Sequence, residues 1–191
     1  NIFKYYDSNS KKILLNIKRN KKKWKSLFGI KLTKKIDNNF KLIEDLYFSN
    51  LKKTNIAKIN QLVHFDLHPH NILVKNQKVT SFLDFESCGQ MNMGYALAFC
   101  CLKICRQTIS KKKIKNQDSI DRQVIIFKNK ILKSYPELDI LFPHFFYFST
   151  SEVLRRILII FHQNLRGIKT WNNVLEIQIN HLKECKILFK N

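Results

Sequence analysis

Between residues 61 and 85 the hydrophobic rhythm of this chain changes, and that change constrains the fold more than any other feature. On either side the apolar residues recur at helical spacing. Residues 9–28 place Ile13, Leu14, Ile17, Trp24, Leu27 and Phe28 on one face, and residues 38–53 repeat the pattern through Phe40, Ile43, Leu46, Tyr47 and Leu51. From Tyr95 to Arg106 the chain is apolar almost all round, as a buried helix would be. Further helical segments follow at 119–134, 144–166 and 172–189, with Pro136 and Pro143 ahead of the second and Gly167 at its end. Inside the break, residues 61–65 are short and apolar, and two apolar runs at 71–74 and 79–85 flank the polar turn Lys75-Asn76-Gln77-Lys78. That is a hairpin signal. The expectation is a mainly α (α+β) chain with one small β-hairpin in its middle.

Composition narrows the class. The chain has 191 residues, 45% apolar and 12% aromatic, enough for one domain with a real core over residues 1–191. Four glycines and three prolines exclude collagenous, linker-like and turn-rich small-strand architectures. The net charge of +21 suits nucleic acid or an acidic membrane in principle. The basic residues are spread along the whole chain instead of lying in one stripe, so a general residue bias explains them better. The run Lys21-Lys22-Lys23 reads as a solvated helix face. No transmembrane span is expected, because Glu152, Arg155 and Arg156 interrupt the greasiest stretch. The opening residues lead into a lysine-rich segment and not an apolar one, and the five cysteines are an odd number without CxxC spacing. A cytoplasmic protein with reduced thiols, most of them packed in the core, fits best.

The chemistry concentrates at His64-Phe65-Asp66-Leu67-His68-Pro69-His70-Asn71-Ile72-Leu73-Val74 and Ser81-Phe82-Leu83-Asp84-Phe85-Glu86. Asp66, Asn71 and Asp84 stand among apolar neighbours. With the turn centred near Gln77, residue 71 lies opposite residue 83, so Asn71 and Asp84 meet at the open end of the hairpin. Asp66 sits on a loop stiffened by Pro69 that can fold over the same end. Two oxygen ligands at one point suit a hard cation such as Mg²⁺. A carboxylate left off the metal can orient a hydroxyl and accept its proton.

This text resembles the catalytic centre of the kinase superfold. It is most similar to the aminoglycoside phosphotransferase and choline kinase-like family, whose typical sequence is His-Gly-Asp-Leu-His-Pro-x-Asn-Ile-Leu, a short hairpin, then Ile-Asp-Phe-Glu. The chain matches at His64, Asp66, Leu67, His68, Pro69, Asn71, Ile72, Leu73, Asp84, Phe85 and Glu86. The resemblance implies a protein kinase-like C-terminal helical lobe, with catalytic loop and metal site at 62–94 and acceptor-side helices at 95–191. It implies an ATP- and Mg²⁺-dependent kinase phosphorylating a hydroxyl of a small molecule. Asp66 would be the catalytic aspartate, Asn71 and Asp84 would hold Mg²⁺ and with it the nucleotide, His68 would stand near the transferred phosphate, and His64 would brace the loop. The chain departs from the family text at Phe65, usually Gly, and at Ala96, usually Asp.

Other readings were weighed. His64, His68 and His70 with Cys88 have the right ring count for zinc, but Pro69 and the alternation scatter them. A protein kinase lacks support, since residues 86–94 leave no room for an activation segment. A catalytically inactive kinase-like module and a basic nucleic-acid binder complete the set, the latter disfavoured. The glycines Gly29, Gly89, Gly94 and Gly167 form no phosphate loop, and residues 1–63 read as two basic helices. The nucleotide lobe that such kinases carry is therefore expected to be missing from this chain. Aminoglycosides and choline are cations, so 14 acidic residues make a neutral or anionic acceptor at least as reasonable.

Overall fold

The computed structural model describes residues 8–19, 21–52, 61–114, 116–168 and 172–190. In chain order the elements are α1 (Ser8–Arg19), α2 (Lys21–Leu51), β1 (Gln61–His64), β2 (Ile72–Lys75), β3 (Lys78–Phe82), β4 (Cys88–Met91), α3 (Met93–Lys111), α4 (Gln117–Ser134), α5 (Phe142–Leu165) and α6 (Asn172–Phe189). The chain is mostly helical, with two small two-stranded antiparallel sheets, β1–β4 and β2–β3. It divides into two compact units, one holding the described residues of 1–53 and 150–183, the other those of 54–149 and 184–191.

The first unit is all helix. The expected helix end at 28 coincides with a break at Gly29, but residues 30–37 are helical within α2, and α1 and α2 are bounded at Arg19 and Lys21. What interrupts α2 is Gly29, with φ 74° and ψ 167°, a conformation that glycine alone adopts cheaply. Thr33 Oγ1 donates to the Trp24 carbonyl oxygen at 3.1 Å, reaching across the kink. Trp24 stacks on Phe28 at 4.8 Å, and Phe161 meets both rings edge-on at 5.0 and 6.0 Å. Leu14, Ile43, Leu46 and Tyr47 are buried as their spacing predicts. The side chains of Ile17, Leu51 and Lys21 to Lys23 lie outside the described residues. Asn50 Nδ2 donates to the hydroxyls of Thr150 and Ser151 at 2.9 and 3.0 Å. The carboxylate of Glu152 is buried and receives Arg155 and Arg156 at 2.6–2.7 Å. Those arginines close an internal ion triad. Burial alone would raise the Glu152 pKa, but the two guanidinium groups outweigh it and hold the carboxyl below its usual range.

The second unit carries both sheets. Asn92 caps α3 by accepting from the Gly94 N–H at 2.8 Å, and Asn116 caps α4 by accepting from the Ser119 N–H at 3.2 Å. α4 stops at Ser134, before Pro136, which opens a short 3₁₀ turn leading into α5. Tyr95 packs against Phe65, Phe99 and Phe148, while Phe142, Phe145 and Phe189 form a second cluster with centroids 5.5–6.1 Å apart. Cys101, Cys105 and Cys185 are buried free thiols, and burial pushes the first two up to about 12. Thiols held so firmly protonated are core packing, not nucleophiles. Among the described residues no helix is long and apolar enough to cross a membrane.

Candidate active site

The hairpin fixes the geometry. Asn76 and Gln77 have φ of 49° and 62°, so the turn is a two-residue connection with both central residues left-handed, which matches the twist of its strands. Lys75 pairs with Lys78 and Ile72 with Phe82, with a bulge beside Leu73 where Thr80 Oγ1 donates to the Leu73 carbonyl oxygen at 3.2 Å. The Leu83 N–H then donates to the Asn71 carbonyl oxygen at 2.9 Å. Residues 71 and 83 therefore face each other, as the turn position predicts, and Asp84 follows directly.

The loop before the hairpin is knitted by side chains. Pro69–Asn71 form one turn of 3₁₀ helix. Asn71 Nδ2 donates to the Asp66 carbonyl oxygen at 3.0 Å, drawing the two ends of the loop together and leaving the amide oxygen of Asn71 for another partner. His64 Nδ1 accepts from the Asp66 N–H at 3.2 Å. Its proton therefore sits on Nε2, which donates to the Leu83 carbonyl oxygen at 2.7 Å. One imidazole thus spans the loop and the third strand's exit. His68 repeats the logic. Its Nδ1 accepts from the His70 N–H at 3.2 Å, so Nε2 donates to Asp66 Oδ2 at 3.1 Å. The Asp66 side chain remains 39% exposed, so a small molecule can reach it.

Asp84 closes the site at φ 62° and ψ 53°, a left-handed conformation that an Asp side chain tolerates better than most. Its carboxylate caps no helix and is exposed. Asn71 and Asp84 thus offer an amide oxygen and a carboxylate on adjoining backbone, a donor set of the hard type that suits Mg²⁺ together with phosphate oxygens. Among the described residues no group of three or more His, Cys, Asp or Glu side chains is placed to hold a metal ion. The zinc arrangement of His64, His68, His70 and Cys88 is accordingly not formed.

Residues 39–111, which contain this loop, the hairpin, β4 and α3, match a family model. The model is that of the phosphotransferase enzyme family. The match is consistent with the aminoglycoside phosphotransferase and choline kinase-like resemblance of the motifs. No curated protein and no solved structure matches the chain.

Within the matched segment the sequence reading missed two things. One is β4, which pairs with β1 in the register His64↔Cys88 and Gln61↔Met91. The other is a polar face on α3. Gln107 lies 3.2 Å from His70 Nε2, and Arg106 Nη1 donates to Glu184 Oε1 at 2.7 Å. The spacing 103, 106, 107, 110 was the available signal. Glu184 is 1% exposed, and burial pushes its carboxyl up to about 7 even though Arg106 opposes the shift.

Proposed function

We propose that this chain supplies the acceptor and metal side of an ATP- and Mg²⁺-dependent small-molecule kinase, with the helical surroundings of the site forming a kinase-like C-terminal lobe. The observation that carries the reading is the double role of Asn71. Its side chain ties off the Asp66 loop at 3.0 Å while its backbone accepts from Leu83, next to Asp84. Three polar residues, two on the loop before the hairpin and one at its exit, are drawn to its open end.

In this reading Asp66 is the catalytic carboxylate. His68 engages Oδ2, so Oδ1 is the oxygen left to receive the acceptor hydroxyl and take its proton. The acceptor oxygen forms the new bond to the γ-phosphorus, the bond from phosphorus to the β-bridging oxygen breaks, and ADP leaves. Asn71 and Asp84 would hold Mg²⁺, whose charge, when it is bound, offsets that of the donor phosphates. His68 fixes the angle of Asp66 instead of standing alone beside the phosphate. His64 holds the loop to the hairpin.

The exposed apolar surface of Leu73, Val74, Val79 and Phe82 suits cover by a nucleotide lobe, which this reading requires for tight nucleotide binding. A catalytically inactive binding module is the second reading. It rests on Ala96, buried where the family text has an acid. Mg²⁺-dependent release of ADP in the presence of a panel of alcohols, compared between wild type and Asp66→Asn, separates the two. Transfer that requires Asp66 supports the kinase; absence of transfer with retained nucleotide binding supports the inactive module.

A further inference from the structure

Next to the Asp66 loop, and within the same unit, lies a cavity of about 280 Å³ lined by His68, His70, Lys103, Arg106, Gln107 and Ser110. Its floor is one stripe of α3, since positions 103, 106, 107 and 110 share a helix face. Its wall is the turn that carries His68 and His70. Among the described residues no carboxylate lines it. We propose that this cavity takes the anionic group of the acceptor, so that the substrate is a small alcohol bearing a carboxylate or phosphate. The inference rests on the kinase reading and names its substrate class.

Arg106 is built to receive such a group. Nη1 is held by Glu184 Oε1 at 2.7 Å, and Glu184 is nearly inaccessible. The fork is therefore oriented before any ligand arrives. Its Nε and Nη2 have no partner among the described residues and can meet two oxygens of one oxyanion in parallel. Lys103 adds a second cation from the preceding turn, its ammonium 5.1 Å from the centre of the Phe99 ring. His70 accepts from the Gln107 amide on Nε2, which puts its proton on Nδ1 as a further donor. A ligand held by these groups has its remaining end beside His68, and His68 touches Asp66. An oxyanion in the cavity and a hydroxyl at Asp66 are thus two ends of one small molecule. Choline and aminoglycosides, being cations, are repelled by the same arrangement.

Binding is tested first with inorganic phosphate titrated into the full chain, read calorimetrically, and then with glycerate against glycerol as acceptors in the ADP-release assay. Two variant sets are used. Lys103→Gln leaves the buried pair untouched. Arg106→Gln is made together with Glu184→Gln, so that no buried carboxylate loses its cation. Each set is expected to weaken phosphate and glycerate about tenfold or more, the usual worth of a charged hydrogen bond, with the affinity for Mg²⁺–ATP unchanged. Phosphate binding that neither set alters, or glycerol used as well as glycerate, would overturn the proposal. A loss of ATP affinity in parallel with phosphate would overturn it too, assigning the cavity to the nucleotide. Transfer to glycerate that survives both sets unweakened leaves the kinase reading standing without this pocket. Phosphate binding that depends on Lys103 without transfer to any alcohol leaves the oxyanion site standing and removes the kinase reading.

Discussion

The ring of Phe65 fills the space that Gly89 leaves open: a Cβ at residue 89 would lie 2.6 Å from Phe65 Cε2. The two meet where β1 ends, with Val63 opposite Gly89 and the Phe65 N–H donating to the Ser87 carbonyl oxygen at 2.8 Å. Phe65 takes the place of the family's usual glycine without a positive φ. The bulk added on one strand is answered by its absence on the other, and the same ring meets Tyr95 edge-on at 5.9 Å.

Gly89→Ala should therefore destabilise the chain by about 1–3 kcal/mol through overpacking. Phe65→Leu in the same molecule should recover much of that loss. The denaturant midpoints of the two single variants and the double variant give the coupling. Strictly additive losses would mean that the ring does not depend on Gly89.

If Asp66 is the proposed catalytic carboxylate, acting on the acceptor, Asp66→Asn should abolish phosphoryl transfer and leave nucleotide affinity nearly unchanged. An amide keeps the hydrogen bonding of the loop but cannot take the proton. Turnover near that of wild type would remove Asp66 from the catalytic role.

Asp84→Ala should weaken Mg²⁺–nucleotide binding along with rate, and Asn71→Ala should weaken it less, since an amide oxygen carries no net charge. Asn71→Ala also releases the loop from the Asp66 carbonyl, so its thermal midpoint should fall; Asp84→Ala should lose some stability too, because alanine bears the left-handed backbone poorly, whereas Asp84→Asn should hold its midpoint. Wild-type nucleotide binding without any Mg²⁺ dependence would contradict the assignment.

Two buried glutamates should give opposite pH signatures. Burial pushes the Glu184 carboxyl up to about 7, well above the ordinary 4.5, so it keeps its proton in the folded chain. The unfolded chain binds fewer protons across that window, so this group makes stability fall as pH rises from about 4.5 to about 7, by an amount on the order of 3 kcal/mol. Glu184→Gln should flatten that slope. Glu152 is held below its ordinary value by Arg155 and Arg156, so its contribution is present at neutral pH and lost on acidification through its folded pKa. Glu152→Gln should cost most near neutrality and little in acid. Chemical denaturation at a series of pH values reads both, and parallel curves for the two variants would contradict the pairing.

The sequence made the hairpin and its consequences legible because turn chemistry is local. Four polar residues between two apolar runs put the turn near Gln77, which sets residue 71 opposite 83; the structure reaches that pairing through a two-residue turn at Asn76 and Gln77 plus the one-residue bulge beside Leu73, which the sequence did not show. The later helices were legible for a similar reason, since Pro136 and Gly167 punctuate them within a turn or two; the caps at Asn92 and Asn116 went unread. β4 was not, because Cys88–Met91 holds a glycine and a glutamine and shows no alternation; its strand character comes from β1, which is remote in sequence. Residues 30–37 failed in the opposite way. Lys31, Lys34 and Lys35 dilute the apolar stripe, and Gly29 resembles a helix end although the helix resumes beyond it. The polar face of α3 was hidden by the many apolar residues around it, and Glu184, which orients Arg106, lies 78 residues away in sequence.

Position 84 is read twice, once by its backbone and once by its carboxylate. A left-handed residue that is not glycine stores about 1 kcal/mol or more of conformational cost, which Asp and Asn bear best. Substitutions there sort into three tiers. Gly relaxes the chain and removes the charge; Asn keeps the shape and removes the charge; a β-branched residue loses both. Position 84 therefore has an unusual mutational spectrum, in which the glycine allele folds at least as well as the parent while lacking the donor oxygen. If Asp84 is the proposed metal ligand, stability and metal affinity can be uncoupled there by a single codon: a survey selecting for folded protein would rank Gly level with or above Asp, one selecting for activity would rank it below, and β-branched residues would come last in both.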